Sequence, residues 1–185
     1  IPEIYKDIVD GKAGYISVPK LKTNIYTGVT LGFKNAMGSI PYALRERNHS
    51  YYINKKIADI LYLFQPHLTI IDGIIGGEGN TPAPVDPVNS HVIISGTAPV
   101  ETDEVATRIM GIDPDQIPLI IKAKRRGFDL PETTVSGDTP PQYSFRRANA
   151  SLMADDFHEY FPNILVLAGH TLPHAPKVSS IDEVT

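Results

Sequence analysis

The chain has 185 residues and a formal net charge of −4 at pH 7, and it contains neither cysteine nor tryptophan. This length suffices for one domain with its own core, and the lack of cysteine excludes disulfides, thiolate nucleophiles and a cysteine-ligated cluster within the sequence. No apolar run is as long as a membrane span and no basic-then-apolar leader is present, so we expect a cytoplasmic protein without a membrane partner.

The charge changes sign along the chain. Residues 1–56 carry nine basic and four acidic side chains, residues 57–121 carry one and nine, and residues 122–185 carry seven and eight. Solvated surface accounts for most of these charges, but the basic first segment also suits an anionic ligand. No basic stripe with interleaved aromatic residues is present, so we expect no nucleic-acid partner.

The first elements of the chain are a helix tail over residues 4–9 and a buried strand over residues 14–18 that ends at Pro19. A polar, glycine-rich region follows and extends to His49. Residues 30–37 within it are consistent with one or two helical turns that stop at Gly38. We interpret the whole region as a strand that leads into binding loops.

The middle of the chain alternates helix and strand. Asn54 is placed to cap a helix that runs to about Phe64, in which Ile57, Ile60 and Leu61 share one face. A β-branched strand over residues 68–71 ends at Asp72-Gly73, and residues 79–90 are predicted to form a loop.

The second half continues this alternation. We predict a strand over residues 91–95, a helix capped by Thr102, a helix over residues 116–126, an irregular segment over 129–143, a helix over 147–160 and a last strand over 164–168. Asp103 and Glu104 suit the first turn of the Thr102-capped helix. The pattern predicts one α/β domain over residues 1–185, with a mainly parallel sheet flanked by helices.

Cationic and hydroxyl side chains follow the first strand. An ammonium group can hold a phosphate or a carboxylate, and glycines let backbone amides approach such a ligand. The predicted ligand-binding residues are Lys20, Lys22, Thr23, Thr27, Gly28, Thr30, Asn35 and Asn80. Lys34 joins Lys20 and Lys22 at one anion site in this interpretation. The alternative is that each lysine is an exposed loop charge.

Four residues are candidates for catalysis: Lys34, His49, Asp72 and Glu78. An aspartate at a strand end is well placed for catalysis or metal binding in α/β folds, and histidine titrates near neutral pH. His49 and Glu78 are also predicted to hold a divalent metal. The alternatives are an Asp-Gly turn for Asp72, a helix-capping role for His49 and a solvated Glu78.

Several uncommon motifs occur in an order that resembles the family known as domain of unknown function 362. They are Val18-Pro-Lys-Leu-Lys-Thr, Thr27-Gly-Val-Thr-Leu-Gly-Phe-Lys-Asn, Gly38-Ser-Ile-Pro, His49, Glu78-Gly-Asn and the segment from Pro99 to Gly111. The resemblance covers about residues 14–127 and leaves 128–185 as a C-terminal extension. It implies an α/β domain that often accompanies a ferredoxin-like iron–sulfur segment. With no cysteine, this chain would not itself ligate such a cluster.

The sequence departs from the family pattern at two points. The Lys-Leu-Lys-Thr motif usually continues with histidine, and here Asn24 follows. Family members usually begin with a further upstream α/β segment that this sequence lacks. The resemblance therefore implies either that the domain is incomplete as given or that another segment or a partner chain supplies the rest. A protein partner or a homo-oligomer is compatible with this.

A looser resemblance concerns the nickel-pincer-cofactor loop of lactate racemase. Gly28-Val-Thr-Leu-Gly-Phe-Lys34, Ile40-Pro41 and His49 follow a similar layout. In that family a lysine carries the cofactor covalently and a downstream histidine ligates nickel. The resemblance would give these roles to Lys34 and His49.

Two functions follow from these patterns. The first is a site for a small anionic ligand or a metal cofactor, in an oxidoreductase-like or racemase-like enzyme. The second is a non-catalytic module that docks to an electron-transfer or metal-handling assembly. Convergence of Lys34, His49 and Glu78 on one pocket would favour the first, and their scatter over a flat face would favour the second.

Overall fold

The computed structural model describes residues 2–42, 53–81 and 85–148. It confirms the predicted α/β class, because one sheet packs against flanking helices. The predicted helix over residues 147–160 and the predicted strand over 164–168 lie largely or wholly outside the described residues, as does His49.

The described part of the chain contains both α-helices and β-strands. The helices are α1 (Lys6–Val9), α2 (Ile53–Ile60), α3 (Pro99–Ile109) and α4 (Pro118–Arg125). The strands are β1 (Ile16–Ser17), β2 (Lys20–Asn24), β3 (Gly28–Thr30), β4 (Leu68–Glu78), β5 (Asp86–Val88) and β6 (Val92–Gly96). Short 3₁₀ helices cover Glu3–Tyr5, Lys34–Ser39 and Pro114–Gln116.

The sheet has six strands and is organised around β4. The strands β1 and β2 pair with β4 in parallel, whereas β5 and β6 pair with it antiparallel and β3 pairs antiparallel with β2. The connection from β4 to β5 is too short to carry a crossover helix, so β5 reverses direction and runs antiparallel to β4. The chain then keeps this direction, and β6 pairs with an earlier stretch of β4.

The helices cover one face of the sheet. The helix α3 packs against β4, β6 and α4, and α4 packs against α2. Their apolar faces bury Ile57, Val100, Met110 and Ile120 together with Ile71 of β4. The predicted apolar face is confirmed, because Ile57, Ile60, Leu61 and Phe64 are all buried. The predicted bounds are wrong, since α2 includes Asn54 and ends at Ile60.

The opposite face of the sheet is largely open. Ile16, Val18 and Ile93 are 56%, 63% and 66% exposed. The strand predicted over residues 14–18 is confirmed at Ile16–Ser17, but the prediction that it is buried is wrong, because only one of its faces packs against the core. None of the helices in the described part of the chain is long and apolar enough to span a bilayer.

The predicted polar loop after Pro19 is also wrong. The chain forms a second strand at once, and β2 and β3 make a hairpin in which Lys22 pairs with Thr30 and Asn24 with Gly28. Pro19 lacks an N–H, but its carbonyl accepts the N–H of Asp72 at 2.9 Å and so keeps the sheet continuous. Basic side chains at alternate positions, Lys20 and Lys22, obscured the strand pattern.

The prediction that Asp72 lies at a strand end is wrong, because β4 continues to Glu78. The register of β2 against β4 shifts between Lys20, which pairs with Asp72, and Lys22, which pairs with Gly77. The glycines at 73, 76 and 77 therefore mark a bulged stretch inside a long strand and do not end it.

The helix α3 begins three residues before the predicted cap. Pro99 is its first residue, and the Thr102 hydroxyl donates to the carbonyl of Ala98 at 2.6 Å from inside the helix. Asp103 is consequently the fifth helical residue and lies beyond the first turn. Proline is favoured at a first helical position because its missing N–H is not needed there.

Candidate functional site

Lys34 is a buried ammonium group. It opens the 3₁₀ helix after β3 and is 9% exposed. Burial, the larger cause, and the positive charge of Lys22 lower its pKa to about 8. Within the described residues, Lys34 has neither a hydrogen bond nor an ion pair with an acidic side chain.

Lys22 and Thr30 lie on the strands that lead to Lys34. They are directly paired across the β2–β3 hairpin, so their side chains point to the same side. The Thr30 hydroxyl is buried and makes no hydrogen bond, and Lys22 forms no ion pair with any described residue. Two ammonium groups and one unused hydroxyl therefore occupy this region; we call Lys22, Thr30 and Lys34 the twin-lysine site.

Asp103 holds the backbone that precedes Lys34. Its two carboxyl oxygens accept the N–H groups of Gly32 at 2.7 Å and Phe33 at 3.2 Å. Burial raises the pKa of this carboxyl group to about 8, against the opposing effect of the two hydrogen bonds. Asp103 thus connects α3 to the Lys34 turn, residues 31–34.

Gly32 allows the chain to pass close to this carboxyl group. A Cβ atom at Gly32 would lie 2.7 Å from Asp103 Oδ1 and 2.8 Å from Thr69 Cγ2. The Gly32 carbonyl accepts the Ser17 hydroxyl at 3.2 Å, and Asn35 Nδ2 donates to Ser17 Oγ at 3.2 Å. Asn35, a predicted ligand-binding residue, therefore helps to fix the turn to β1.

Lys20 and Asp72 neutralise each other. Lys20 Nζ lies 2.5 Å from Asp72 Oδ2, and their side chains are 45% and 41% exposed. The hydrogen bond from Lys20, followed by that from the Ile74 N–H, lowers the pKa of Asp72. The structure therefore places these two predicted site residues together as an ion pair on the open face of the sheet.

The Glu78 carboxylate is bonded to Arg146. Its Oε2 accepts the Arg146 backbone N–H at 2.7 Å, and its Oε1 lies 3.9 Å from the guanidinium Nε. The same guanidinium bonds to Asp86. This predicted catalytic and metal-binding carboxylate therefore ties the segment around Arg146 to the end of β4.

The polar residues of the β2–β3 hairpin stabilise its turn. Asn24 Oδ1 accepts the N–H groups of Tyr26 at 3.0 Å and Thr27 at 3.1 Å, and Gly28 has a φ of +77°. The buried Thr23 hydroxyl donates to the Gly79 carbonyl at 2.8 Å. Asn24, where the family pattern has histidine, is thus a turn residue here.

Of the two predicted metal ligands, His49 and Glu78, only Glu78 lies within the described residues. His49 lies outside the described residues, and no group of three or more His, Cys, Asp or Glu side chains in residues 2–42, 53–81 and 85–148 is placed to hold a metal ion. Asn80, a further predicted ligand residue, is exposed just after β4. Pairing of His49 with Glu78, and the nickel-cofactor roles of Lys34 and His49, stay predictions.

A lysine with a pKa near neutrality has three chemical uses. It can bind an anion, transfer a proton, or attack a carbonyl group as the neutral amine. The Lys34 turn has the rigidity such a group needs, because Asp103, Ser17 and Asn35 fix the backbone and the flanking β1 strand.

The sequence did not indicate the role of Asp103 or of Arg146. The dipeptide Ala98-Pro99 carried the missing signal for Asp103, since a proline at the first helical position moves Asp103 out of the first turn. For Arg146 no local signal exists, because its partners Glu78 and Asp86 are 60 or more residues away.

Comparison with known proteins agrees with the sequence motifs. The family described as "Domain of unknown function (DUF362)" matches residues 3–108. The thylakoid-associated protein sll1697 of Synechocystis sp. (strain ATCC 27184 / PCC 6803 / Kazusa) is 28% identical over 120 residues, which make up 62% of this chain and 37% of that protein. The chain thus spans well under half the length of this curated relative, and no solved structure matches. Because the family match covers more than half of its residues, the chain belongs to the DUF362 family.

Proposed function

We propose that this chain binds a small anionic molecule at the twin-lysine site and that Lys34 serves there as the anion-binding and proton-transferring group. The observation that carries the proposal is the burial of the Lys34 ammonium, at 9% exposure, without an acidic partner in the described part of the chain. A buried cation is normally paired, because desolvation of an unpaired charge is costly. A carboxylate or phosphate ligand would supply the missing negative charge.

The neighbouring groups support the same ligand class. Lys22 adds a second cation, and the unused Thr30 hydroxyl adds a donor. Asp103 uses both oxygens on backbone amides and so does not compete for the lysine. Lys20 does not contribute to this proposed site, because Asp72 holds it.

The experiment is a calorimetric titration of the full chain with phosphate and with pyruvate, in a buffer without other multivalent anions. Lys34→Met keeps the apolar stem and removes the charge. We expect it to weaken binding of whichever anion the wild type takes by about 1.5–3 kcal/mol, roughly tenfold or more. Lys20→Met is the matched control, since it removes a lysine that already has a partner. Equal affinity in wild type and Lys34→Met would contradict the proposal.

A second function, docking to another protein without catalysis, is favoured by the open face of the sheet. Ile16, Val18 and Ile93 form exposed apolar surface on β1, its following residue and β6. Under this function the titration gives no binding of either anion, and the twin-lysine substitutions leave partner association unchanged. The two functions are therefore separated by the same set of variants.

A further inference from the structure

A cavity of about 740 Å³ lies on the side of α3 that faces the last strand of the sheet. One wall is β6, a second is the part of α3 that carries Glu101 and Val105, and the third is the segment from Leu130 to Tyr143. This volume falls within the range of small-molecule sites in proteins. None of the residues of the twin-lysine site lines it.

The segment from Leu130 to Tyr143 is fixed at both ends. The Leu130 N–H donates to Glu101 Oε1, the Tyr143 hydroxyl donates to the Ser90 carbonyl at 2.5 Å, and the Tyr143 N–H donates to the Ile109 carbonyl at 2.9 Å. An irregular segment is therefore held beside β6 and α3, and the cavity between them is partly open to solvent.

Glu101 has one unused oxygen in this region. The residue is 4% exposed, and its Oε2 atom is buried without a hydrogen-bond partner. The adjacent Thr102 hydroxyl cannot satisfy it, because that hydroxyl donates to Ala98. A buried carboxyl oxygen without a donor is costly. Because Oε2 itself has almost no surface in the cavity, a small rotation of the Glu101 side chain is needed before a ligand there can supply the donor.

The charges around the cavity define which ligand fits. Glu101, Glu132 and Asp138 line it, whereas its described lining includes no lysine and no arginine. The apolar side chains of Ile94, Val105 and neighbouring residues complete the walls. A metal ion alone would leave most of this space empty, and no metal-holding group of three side chains occurs in the described residues.

We propose that this cavity is a second binding site that takes a small organic molecule with a protonated primary amine, the ammonium group donating to Glu101 Oε2. The apolar part of the bound molecule lies between β6 and α3. Charge-assisted hydrogen bonds of this kind are the strong ones. The site is independent of the anion site proposed above, since it uses a different face of α3 and the opposite ligand charge.

The test is a titration of the full chain with cyclohexylammonium chloride, followed by NMR of the backbone amides at constant ionic strength. We expect shifts in β6 and in residues 130–143, and no comparable shifts with cyclohexanol, the neutral analogue. Glu101→Gln keeps an oxygen for the Leu130 N–H and should weaken binding at least tenfold. Glu104→Gln is the matched control, because Glu104 lies on the same helix but is bonded to Lys124 at 2.9 Å. The affinity of Glu104→Gln for cyclohexylammonium should be within twofold of that of the wild type.

Three results would overturn the proposal. They are equal binding of cyclohexanol and cyclohexylammonium, unchanged affinity in Glu101→Gln, and the absence of any amine binding by the wild type. The first and third need no variant, so they decide the matter even if Glu101→Gln fails to fold. Val105→Phe narrows the cavity without altering Glu101, and we expect it to reduce amine binding as well.

Discussion

Lys20 is the first residue of β2 and Lys34 follows β3, and of these two lysines only Lys20 has an acidic partner among the described residues. Lys20 is half exposed and bonded to Asp72, whereas Lys34 is buried beside a second lysine. An exposed ion pair of the first kind contributes little to stability. A buried, unneutralised ammonium of the second kind lowers stability, and this cost is the basis for the proposed anionic ligand.

Asp72, near Lys20, and Asp103, near Lys34, differ in the same way: the first is exposed and ion-paired, and the second is buried. On the open face, the hydrogen bond from Lys20 lowers the pKa of Asp72, and the carboxylate stays charged and satisfied. Beneath the Lys34 turn, burial raises the pKa of Asp103 to about 8 while its oxygens hold two backbone amides. The same residue type thus forms a surface ion pair at one place and fixes two buried backbone amides at the other.

Asp103→Ala should have the largest effect. It leaves the buried N–H groups of Gly32 and Phe33 without acceptors, at about 1–3 kcal/mol for each unsatisfied group. We expect the free energy of unfolding to fall by about 2–4 kcal/mol in urea denaturation. Asp72→Ala, which removes an exposed aspartate, is the control. A loss for Asp103→Ala no greater than that for Asp72→Ala would contradict the role of Asp103.

Lys34→Met should stabilise the protein in the absence of ligand. A pKa lowered from 10.5 to about 8 corresponds to about 3 kcal/mol at neutral pH, and methionine fills similar space without charge. We expect a gain of about 1–3 kcal/mol at pH 7 by denaturation. A lysine needed only for structure would give a loss instead.

The pH dependence of that gain has a definite sign. Between pH 8 and 10.5 the unfolded chain keeps the Lys34 proton while the folded chain releases it, so wild-type stability rises with pH in this window. The advantage of Lys34→Met should therefore be greatest below pH 8 and disappear by about pH 10.5. An advantage that is constant with pH would show that repacking, and not charge, causes it.

Lys20→Met should have the smallest effect. Its ion pair with Asp72 is solvent-exposed, so we expect a thermal midpoint within about 2 °C of the wild type. A much larger decrease would show that the open face depends on this pair, and the contrast between the two lysines would fail.

Local patterns in the sequence predicted the α/β class, the buried face of α2 and the family motifs. They misplaced the strand ends, because Pro19 and the glycines at 73, 76 and 77 resemble breaks although the sheet continues through both. The sequence also predicted one anion site that includes Lys20, Lys22 and Lys34. Which lysine has an acidic partner depends on the pairing of β2 with β4, a contact 52 residues apart in sequence, and no local pattern encodes it.

The titration of the Lys34 side chain itself, by NMR of its ¹³Cε resonance with Lys34→Met for assignment, tests the proposed anion site most directly. We predict a midpoint at about pH 8 in the unliganded protein and a clear rise when phosphate or pyruvate saturates the site, because a bound anion stabilises the ammonium form. A midpoint near the ordinary lysine value of 10.5 that neither anion changes would contradict the claim that Lys34 is a buried cation that binds an anionic ligand.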